Sequence, residues 1–172
     1  MQKQTTVYLG LGANLGNTRY NLQQALRRLS QLINFAAVSP LYDTAPVGNT
    51  SQPRFLNAVA KGTTTLTPEK LLVFAKSIEQ DMGRATAPPD SPRPIDIDVL
   101  FYGHLVLSTA NLTIPHPRLA ERAFVLAPLA DISPGLRHPV IRKTVKTLLR
   151  GLPRTPGDVA RANQEALCLK FP

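Results

Sequence analysis

The sequence predicts an α+β fold with a ferredoxin-like β-α-β-β-α-β core, a mostly antiparallel sheet and flanking helices. Three observations predict it. Two strand–helix–strand runs follow each other along the chain. Their strands are short, and the last one sets Ile95, Ile97 and Val99 on one face. The 172 residues fit one domain, and 43% hydrophobic against 18% charged residues supply a packed core.

Thr6 to Gly12 reads as the first strand, closed by the turn Gly12-Ala13-Asn14-Leu15-Gly16-Asn17. Leu22, Ala25, Leu26, Leu29, Leu32 and Ile33 recur at helical spacing, with Asn17 or Thr18 as cap. Phe35 to Thr44 reads as a second strand and Phe55 to Thr65 as a third, joined by a loop from Ala45 to Arg54. Thr67-Pro68-Glu69 opens a second helix with a cap, a proline at the first position and an acid in the first turn. Its apolar face is Leu71, Leu72, Ala75, Ile78 and Met82, and Gly83 stops it. The loop from Arg84 to Pro94 carries four prolines, which deny it regular structure and limit its freedom. Ile95 to Phe101 is an acidic strand, and Tyr102-Gly103-His104 turns it into Leu105-Val106-Leu107. Pro115-His116-Pro117 precedes a helix from Arg118 to about Leu129, and a short basic helix follows Pro139 and runs to Arg150. No internal repeat occurs. The domain is expected to span 1–152. Residues 153–172, rich in proline and charge, are expected to form a poorly ordered tail that the chemistry does not need.

The net charge of +9 first suggests nucleic acid. Its distribution weakens that reading. From Arg137 onward there are 8 basic and 2 acidic residues; the preceding 136 hold 12 basic and 9 acidic. A polyanionic small substrate accounts for local positive charge equally well. One cysteine, Cys168, excludes a disulfide framework and a thiolate metal site and points to a reducing cytoplasm. The N-terminus is too short and polar for a signal peptide, and no stretch is long enough to span a membrane.

The most informative stretch is Arg93-Pro94-Ile95-Asp96-Ile97-Asp98-Val99-Leu100. On a strand, Asp96 and Asp98 share a face, roughly 7 Å apart. Two carboxylates so placed repel each other unless a cation sits between them. They are hard oxygen ligands of the kind that suits magnesium. Arg93 lies just upstream, and a metal pair beside a fixed guanidinium suits phosphate chemistry. The competing reading is a sheet edge bearing solvated acids.

Other residues leave similar choices open. Glu79 borders the apolar face of the second helix, where a glutamate is usually solvated. Arg84 and Arg93 bracket the proline loop. His116 is held between two prolines; Arg122 and Phe124 lie near a helix start. Phe55 and Asn57 share a strand face, where an amide can offer donor and acceptor to a flat heterocycle. No glycine-rich phosphate loop is present, so side chains must hold any nucleotide.

Together these residues resemble one family, the 6-hydroxymethyl-7,8-dihydropterin pyrophosphokinases of folate biosynthesis. The resemblance runs from Val7 to about Pro134. It rests on Leu11-Gly12-Ala13-Asn14-Leu15-Gly16, Tyr42-x-Thr44-x-Pro46-x-Gly48, Phe55-Leu56-Asn57-Ala58, Ile78-Glu79-x-x-x-Gly83-Arg84, Arg93-Pro94-Ile95-Asp96-Ile97-Asp98 and Ile114-Pro115-His116-Pro117-Arg118. It implies diphosphate transfer from the co-substrate ATP to the pterin hydroxymethyl group, releasing AMP. It implies that Asp96 and Asp98 hold two magnesium ions per active site, with Arg84 and Arg93 joining them in catalysis. Glu79, Arg84, Arg93, Val99, Thr113, His116 and Arg122 match the family's nucleotide site. Thr44, Ala45, Val47, Phe55, Asn57 and Phe124 match its pterin pocket. The loops 45–54 and 84–94 match loops that close over substrates. A cytoplasmic monomer with no nucleic-acid or membrane partner is expected.

Two departures stand out. Many members carry a tryptophan in the proline loop, where this chain has Asp90 and no tryptophan at all. Many also carry a second arginine two residues after Arg84, where this chain has Thr86. Two other readings compete. A two-metal nucleotidyl transferase or cyclase leaves Phe55 and Asn57 without a role. An RNA-binding ferredoxin-like module fits the charge, but aromatics are only 6% and the aspartates would repel phosphate.

Overall fold

Alternate residues of a strand take opposite faces, and here that alternation builds two cores on one sheet. The computed structural model describes residues 3–171. Strand β1 (Thr5–Ala13) is central, with β4 (Phe55–Thr64) and β5 (Asp96–Tyr102) antiparallel on either side. The far edge of β4 carries two short strands, β2 (Ile33–Val38) and β3 (Tyr42–Thr44). A last strand, β8 (Val159–Arg161), pairs with β3 and completes the order β5-β1-β4-β3-β8. With β2 and β3 counted as one interrupted strand, this is the expected ferredoxin-like order. Strands β6 (Leu107–Ser108) and β7 (Thr113–Ile114) form a small separate ladder.

Helices α1 (Thr18–Leu29) and α2 (Pro68–Asp81) cover one face of the sheet. Asn17 caps α1 by accepting from the Tyr20 amide at 3.1 Å, and Thr67 caps α2 by accepting from the Lys70 amide at 3.3 Å. Against them bury Val7, Leu9 and Leu11 of β1, Leu56 and Ala58 of β4, and Ile97 and Val99 of β5. Each large side chain buried in this way contributes about 1.5–3 kcal/mol. Helices α3 (Ala123–Ile132) and α4 (Val145–Gly151) cover only one end of the other face, over Tyr8, Val59, Leu100 and Phe101. A bulge allows this. Leu9 pairs with Val99 and Tyr8 with Phe101, so Leu100 is an extra residue. Leu100 and Phe101 both join the second core, and the acidic run on that face ends at Asp98.

Three expectations change. The strand foreseen from Phe35 to Thr44 is broken, because Pro40 has no amide to give the ladder. Ser39 bridges the gap: its amide donates to the Val59 carbonyl at 2.9 Å, and its hydroxyl accepts from the Val59 amide at 3.0 Å. The helix foreseen from Arg118 opens as a single 3₁₀ turn, Leu119–Glu121, and extended backbone at Arg122 (φ −112°, ψ 104°) delays α3 to Ala123. The tail after Leu152 is not a loose extension. It forms β8, then runs along α1, where Leu167 is 5% exposed and the Gln23 amide group bonds the Cys168 backbone on both sides. An open edge at β3 recruits a strand, and the tail's few apolar residues carry the burial that its average composition hides.

Candidate active site

The C-terminus of α2 fixes the first arginine. Gly83 takes a left-handed φ of 91°, which ends the helix. The Gly83 amide donates to the Gln80 carbonyl and the Arg84 amide to the Glu79 carbonyl, both at 3.0 Å. This is a Schellman closure, and it aims Arg84 at β5. The Arg84 guanidinium reaches Glu79 at 2.8 Å and Asp96 at 2.6 Å. Glu79, 2% exposed, also takes Lys76 at 3.0 Å and the Ile97 amide at 2.7 Å. Glu79 therefore stands behind the acidic strand as its anchor. Burial raises its pKa, although Lys76, the Ile97 amide and Arg84 all oppose the shift.

The two aspartates share a face, as alternation requires, but their environments differ. Burial alone would raise the Asp96 pKa; Arg93, at 3.2 Å, and Arg84 outweigh it, and the net shift is downward. Asp98 lacks a guanidinium at bonding distance. Burial and the negative charge of Asp96 push it up to about 6. Asp98 thus carries an unmet demand for positive charge.

Arg93 is positioned through its backbone. Its amide donates to Asn14 Oδ1 at 2.8 Å, and its carbonyl accepts from the Asn14 amide at 3.1 Å. Asn14 Nδ2 donates to Gln52 Oε1 at 2.9 Å, and Gln52 Nε2 donates to the Asn49 and Asp90 carbonyls, each at 2.9 Å. Asn14 and Gln52 thus tie the two long loops to the end of β1.

A cavity of about 220 Å³ opens beside the aspartates. That is below the roughly 300–1,000 Å³ of drug-sized pockets, so it suits one small flat ring rather than a whole nucleotide. Asn57 and Phe55 lie on the same sheet face as the aspartates, and Phe124 comes from α3. Asn57 Nδ2 donates to Thr44 Oγ1 at 2.6 Å. Room for a ring exists because β1 presents Gly10 and Gly12 here. A Cβ at Gly12 would lie 2.6 Å from Asn57 Oδ1. Arg93 stacks over Phe55 at 5.1 Å and Arg122 over Phe124 at 5.4 Å. The Nε atoms of both arginines are buried without a partner among the described residues. An anion entering this cavity would find unused donors.

Ten of the foreseen residues line the cavity: Thr44, Ala45, Val47, Phe55, Asn57, Arg93, Asp96, Asp98, Arg122 and Phe124. Arg84 reaches it only through Asp96. Val99 buries its side chain in the helix-side core. Thr113 and His116 are not among the cavity's lining residues. The His116 amide donates to the Leu100 carbonyl at 3.0 Å, and burial with Arg122 drives its pKa down to about 4. Sequence reasoning missed Gly10, Gly12, Gln52 and Arg118 as lining residues. Two glycines alternating on an apolar strand were a readable sign of close approach; the Gln52 bridge was not readable.

The carboxylate pair fits a hard divalent cation in one circumstance. No group of three His, Cys, Asp or Glu capable of holding a metal occurs among the described residues. Two carboxylates hold magnesium when phosphates and water complete its shell. The donor set therefore suits a metal that arrives with a polyphosphate.

Residues 8–134 match the family described as 7,8-dihydro-6-hydroxymethylpterin-pyrophosphokinase (HPPK). A 2-amino-4-hydroxy-6-hydroxymethyldihydropteridine pyrophosphokinase of Pseudomonas aeruginosa is 41% identical over 157 residues, covering 88% of this chain and 97% of the relative. Its Aquifex aeolicus namesake is 39% identical, covering 82% and 88%. The mitochondrial folate synthesis bifunctional protein of Arabidopsis thaliana is 50% identical over 73% of this chain. There the match spans only 23% of the relative's length. Among solved structures, the Plasmodium falciparum HPPK-DHPS with pteroate superposes with a TM-score of 0.72 at 17% identity, covering 87% of this chain and 42% of that one. At that identity the likeness concerns the fold alone.

Proposed function

The chain belongs to the 7,8-dihydro-6-hydroxymethylpterin-pyrophosphokinase family, and from that premise we propose that it transfers diphosphate from ATP to 6-hydroxymethyl-7,8-dihydropterin. The hydroxymethyl oxygen gives up its proton to solvent and bonds to the β-phosphorus, the bond between that phosphorus and the oxygen bridging it to the α-phosphorus breaks, and AMP leaves with that oxygen. The observation that carries this reading is one cavity lined both by Asn57 and Phe55 and by Asp96 and Asp98, with Asn57 and Asp96 flanking Gly12 of β1.

Each residue then has a task. Asn57 and Thr44 hydrogen-bond the edge of the ring, and Phe55 and Phe124 pack on its faces. Asp96 and Asp98 would hold two magnesium ions, whose positive charge would offset the negative charge of the phosphates. Arg93 and Arg122 present unpaired Nε donors to phosphate oxygens and stabilise charge that grows on the bridging oxygen. Arg84, held by Glu79, keeps Asp96 in place and ionised. Arg118 lines the same cavity and adds positive charge there. His116, kept neutral, accepts a hydrogen bond from the Arg118 amide through Nδ1 at 3.3 Å, leaving Nε2 for the nucleotide.

No helix among the described residues is long and apolar enough to cross a membrane. An exposed lone thiol at Cys168 supports a reducing compartment such as the cytoplasm.

The test is product analysis. ATP, the hydroxymethyl-dihydropterin and magnesium should yield AMP and the pterin diphosphate in equal amounts, and omitting magnesium or the pterin should stop the reaction. Free pyrophosphate or a cyclic nucleotide as product would return the chain to the transferase reading.

A further inference from the structure

The loop 45–54 begins beside Thr44 and ends beside Phe55, both lining residues of the cavity. Its two ends are held by the same dipeptide of the C-terminal segment. The Ala45 amide donates to the Asp158 carbonyl at 2.8 Å. The Arg54 guanidinium donates through Nη2 to the Gly157 carbonyl at 2.8 Å, while its Nε pairs with Asp43. The ladder continues in register, Thr44 opposite Val159, Asp43 opposite Ala160 and Tyr42 opposite Arg161. The Ala162 amide closes it on the Leu41 carbonyl at 2.8 Å.

The same segment also reaches the opposite wall. Arg161 bonds Asp131 of α3 at 2.7 Å, and Tyr42 donates to the same carboxylate. Helix α3 carries Phe124, the second aromatic of the cavity. One short stretch of chain thus ties β3, both ends of the loop and α3 together.

We infer that residues 155–162 are a positioning element of the pterin pocket, acting through Arg54 and the Gly157 and Asp158 carbonyls. This rests on the proposed reading of the pocket. Arg54 is exposed, and an exposed ion pair adds little to global stability. Its effect falls on where the loop sits. The turn that presents the two carbonyls depends on Gly157, whose φ of 83° is strained for any side chain.

The experiment is a double-mutant cycle on pterin binding, read by calorimetry with 6-hydroxymethylpterin and the non-hydrolysable ATP analogue AMPCPP. Arg54→Ala should weaken pterin binding about 5–10-fold in the full chain and leave the melting temperature and the affinity for AMPCPP alone unchanged. Arg54→Lys should restore part of the loss. In a chain ending at Arg154, pterin binding should already be weak, and Arg54→Ala should add nothing. Should that truncation not fold, Gly157→Val takes its place in the cycle. Hydrogen exchange at the Ala45 amide reads the brace without any ligand: protection should fall in the truncated or Gly157→Val protein. An equal Arg54→Ala effect with and without the segment would mean that Arg54 acts through Asp43 or on the pterin itself and not through the segment, and would overturn the inference. So would normal pterin affinity in a chain that lacks the segment. A full-length protein that forms no AMP would overturn the proposed reaction, and the exchange result would stand apart from it.

Discussion

On the face of the sheet turned to α1 and α2, the central strands carry Val7, Leu9, Leu11, Ala58, Ile97 and Val99, all buried. The residues between them face the cavity and are of another kind: Gly10, Gly12, Asn57, Asp96 and Asp98. The strands are the same, and only the parity of position differs. The first face stabilises the sheet by burial. The second withholds burial: it gives up side chains at two glycines, packs an asparagine against Thr44, and holds two like charges close together. Such a face is stable only because the other is so fully apolar, and because Glu79 anchors the acidic strand from behind. This contrast can be broken from either side.

The largest effect is expected at the acids. Asp96→Ala and Asp98→Ala should each lower turnover by roughly 10⁴-fold, about 5.4 kcal/mol of barrier, while circular dichroism stays native. A folded variant with near-normal AMP formation would mean that the open face has been misread.

Glu79 joins the two faces, and its loss should be felt as instability first. It accepts Lys76, Arg84 and the Ile97 amide inside the protein. Breaking a buried network by removing one member typically costs about 3–5 kcal/mol. Urea unfolding of Glu79→Ala should show a drop of that order. Turnover at a temperature where the variant is folded should also fall, because Arg84 loses one of its two holds. Unaltered stability would argue that solvent already pays the anchor's role.

Asn57→Ala removes a polar group from the open face without touching the helix-side core. The loss of its hydrogen bonds to the ring typically costs about 1–3 kcal/mol. Calorimetry should show it in pterin binding, with the affinity for AMPCPP alone unchanged.

The two faces were unequally legible in the sequence. The apolar face was readable nearly residue by residue, because alternation and helical spacing are local signals. The caps at Asn17 and Thr67 and the stop at Gly83 were readable for the same reason. The acids, Phe55 and Asn57 were found because they share strand parity. What failed was non-local. Leu100 is bulged only because of its pairing with β1, and no pattern in 95–101 announces it. The break at Pro40 carried a local sign that the smooth reading from Phe35 to Thr44 passed over. The tail was judged by average composition, yet Val159 and Leu167 find partners more than a hundred residues away. Gln52 looked like a loop glutamine and turned out to bridge two loops.

The smallest expected effect is the most specific to the contrast. In metal-free protein, burial and Asp96 raise the Asp98 pKa to about 6, against an ordinary aspartate near 3.9 when unfolded. A raised folded pKa means that the native state binds the proton more tightly than the unfolded chain does. Its contribution is therefore fully present below the unfolded pKa and is lost as pH rises through about 6. At pH 7.5 the charged Asp98 is then a net burden on the fold. Asp98→Asn should remove that burden, making the variant more stable than the parent by about 2 kcal/mol at pH 7.5 and no more stable at pH 4. Taking the difference between the two proteins cancels the titration of Glu79 and His116, which they share. Urea unfolding in EDTA across that range measures it. Magnesium added together with AMPCPP should stabilise the parent at pH 7.5 more than the variant, because only the parent offers the paired carboxylates to a metal whose shell the phosphates complete. A stability difference that is flat with pH would mean that Asp98 titrates normally, and that the open face carries no unmet charge for a cation to answer.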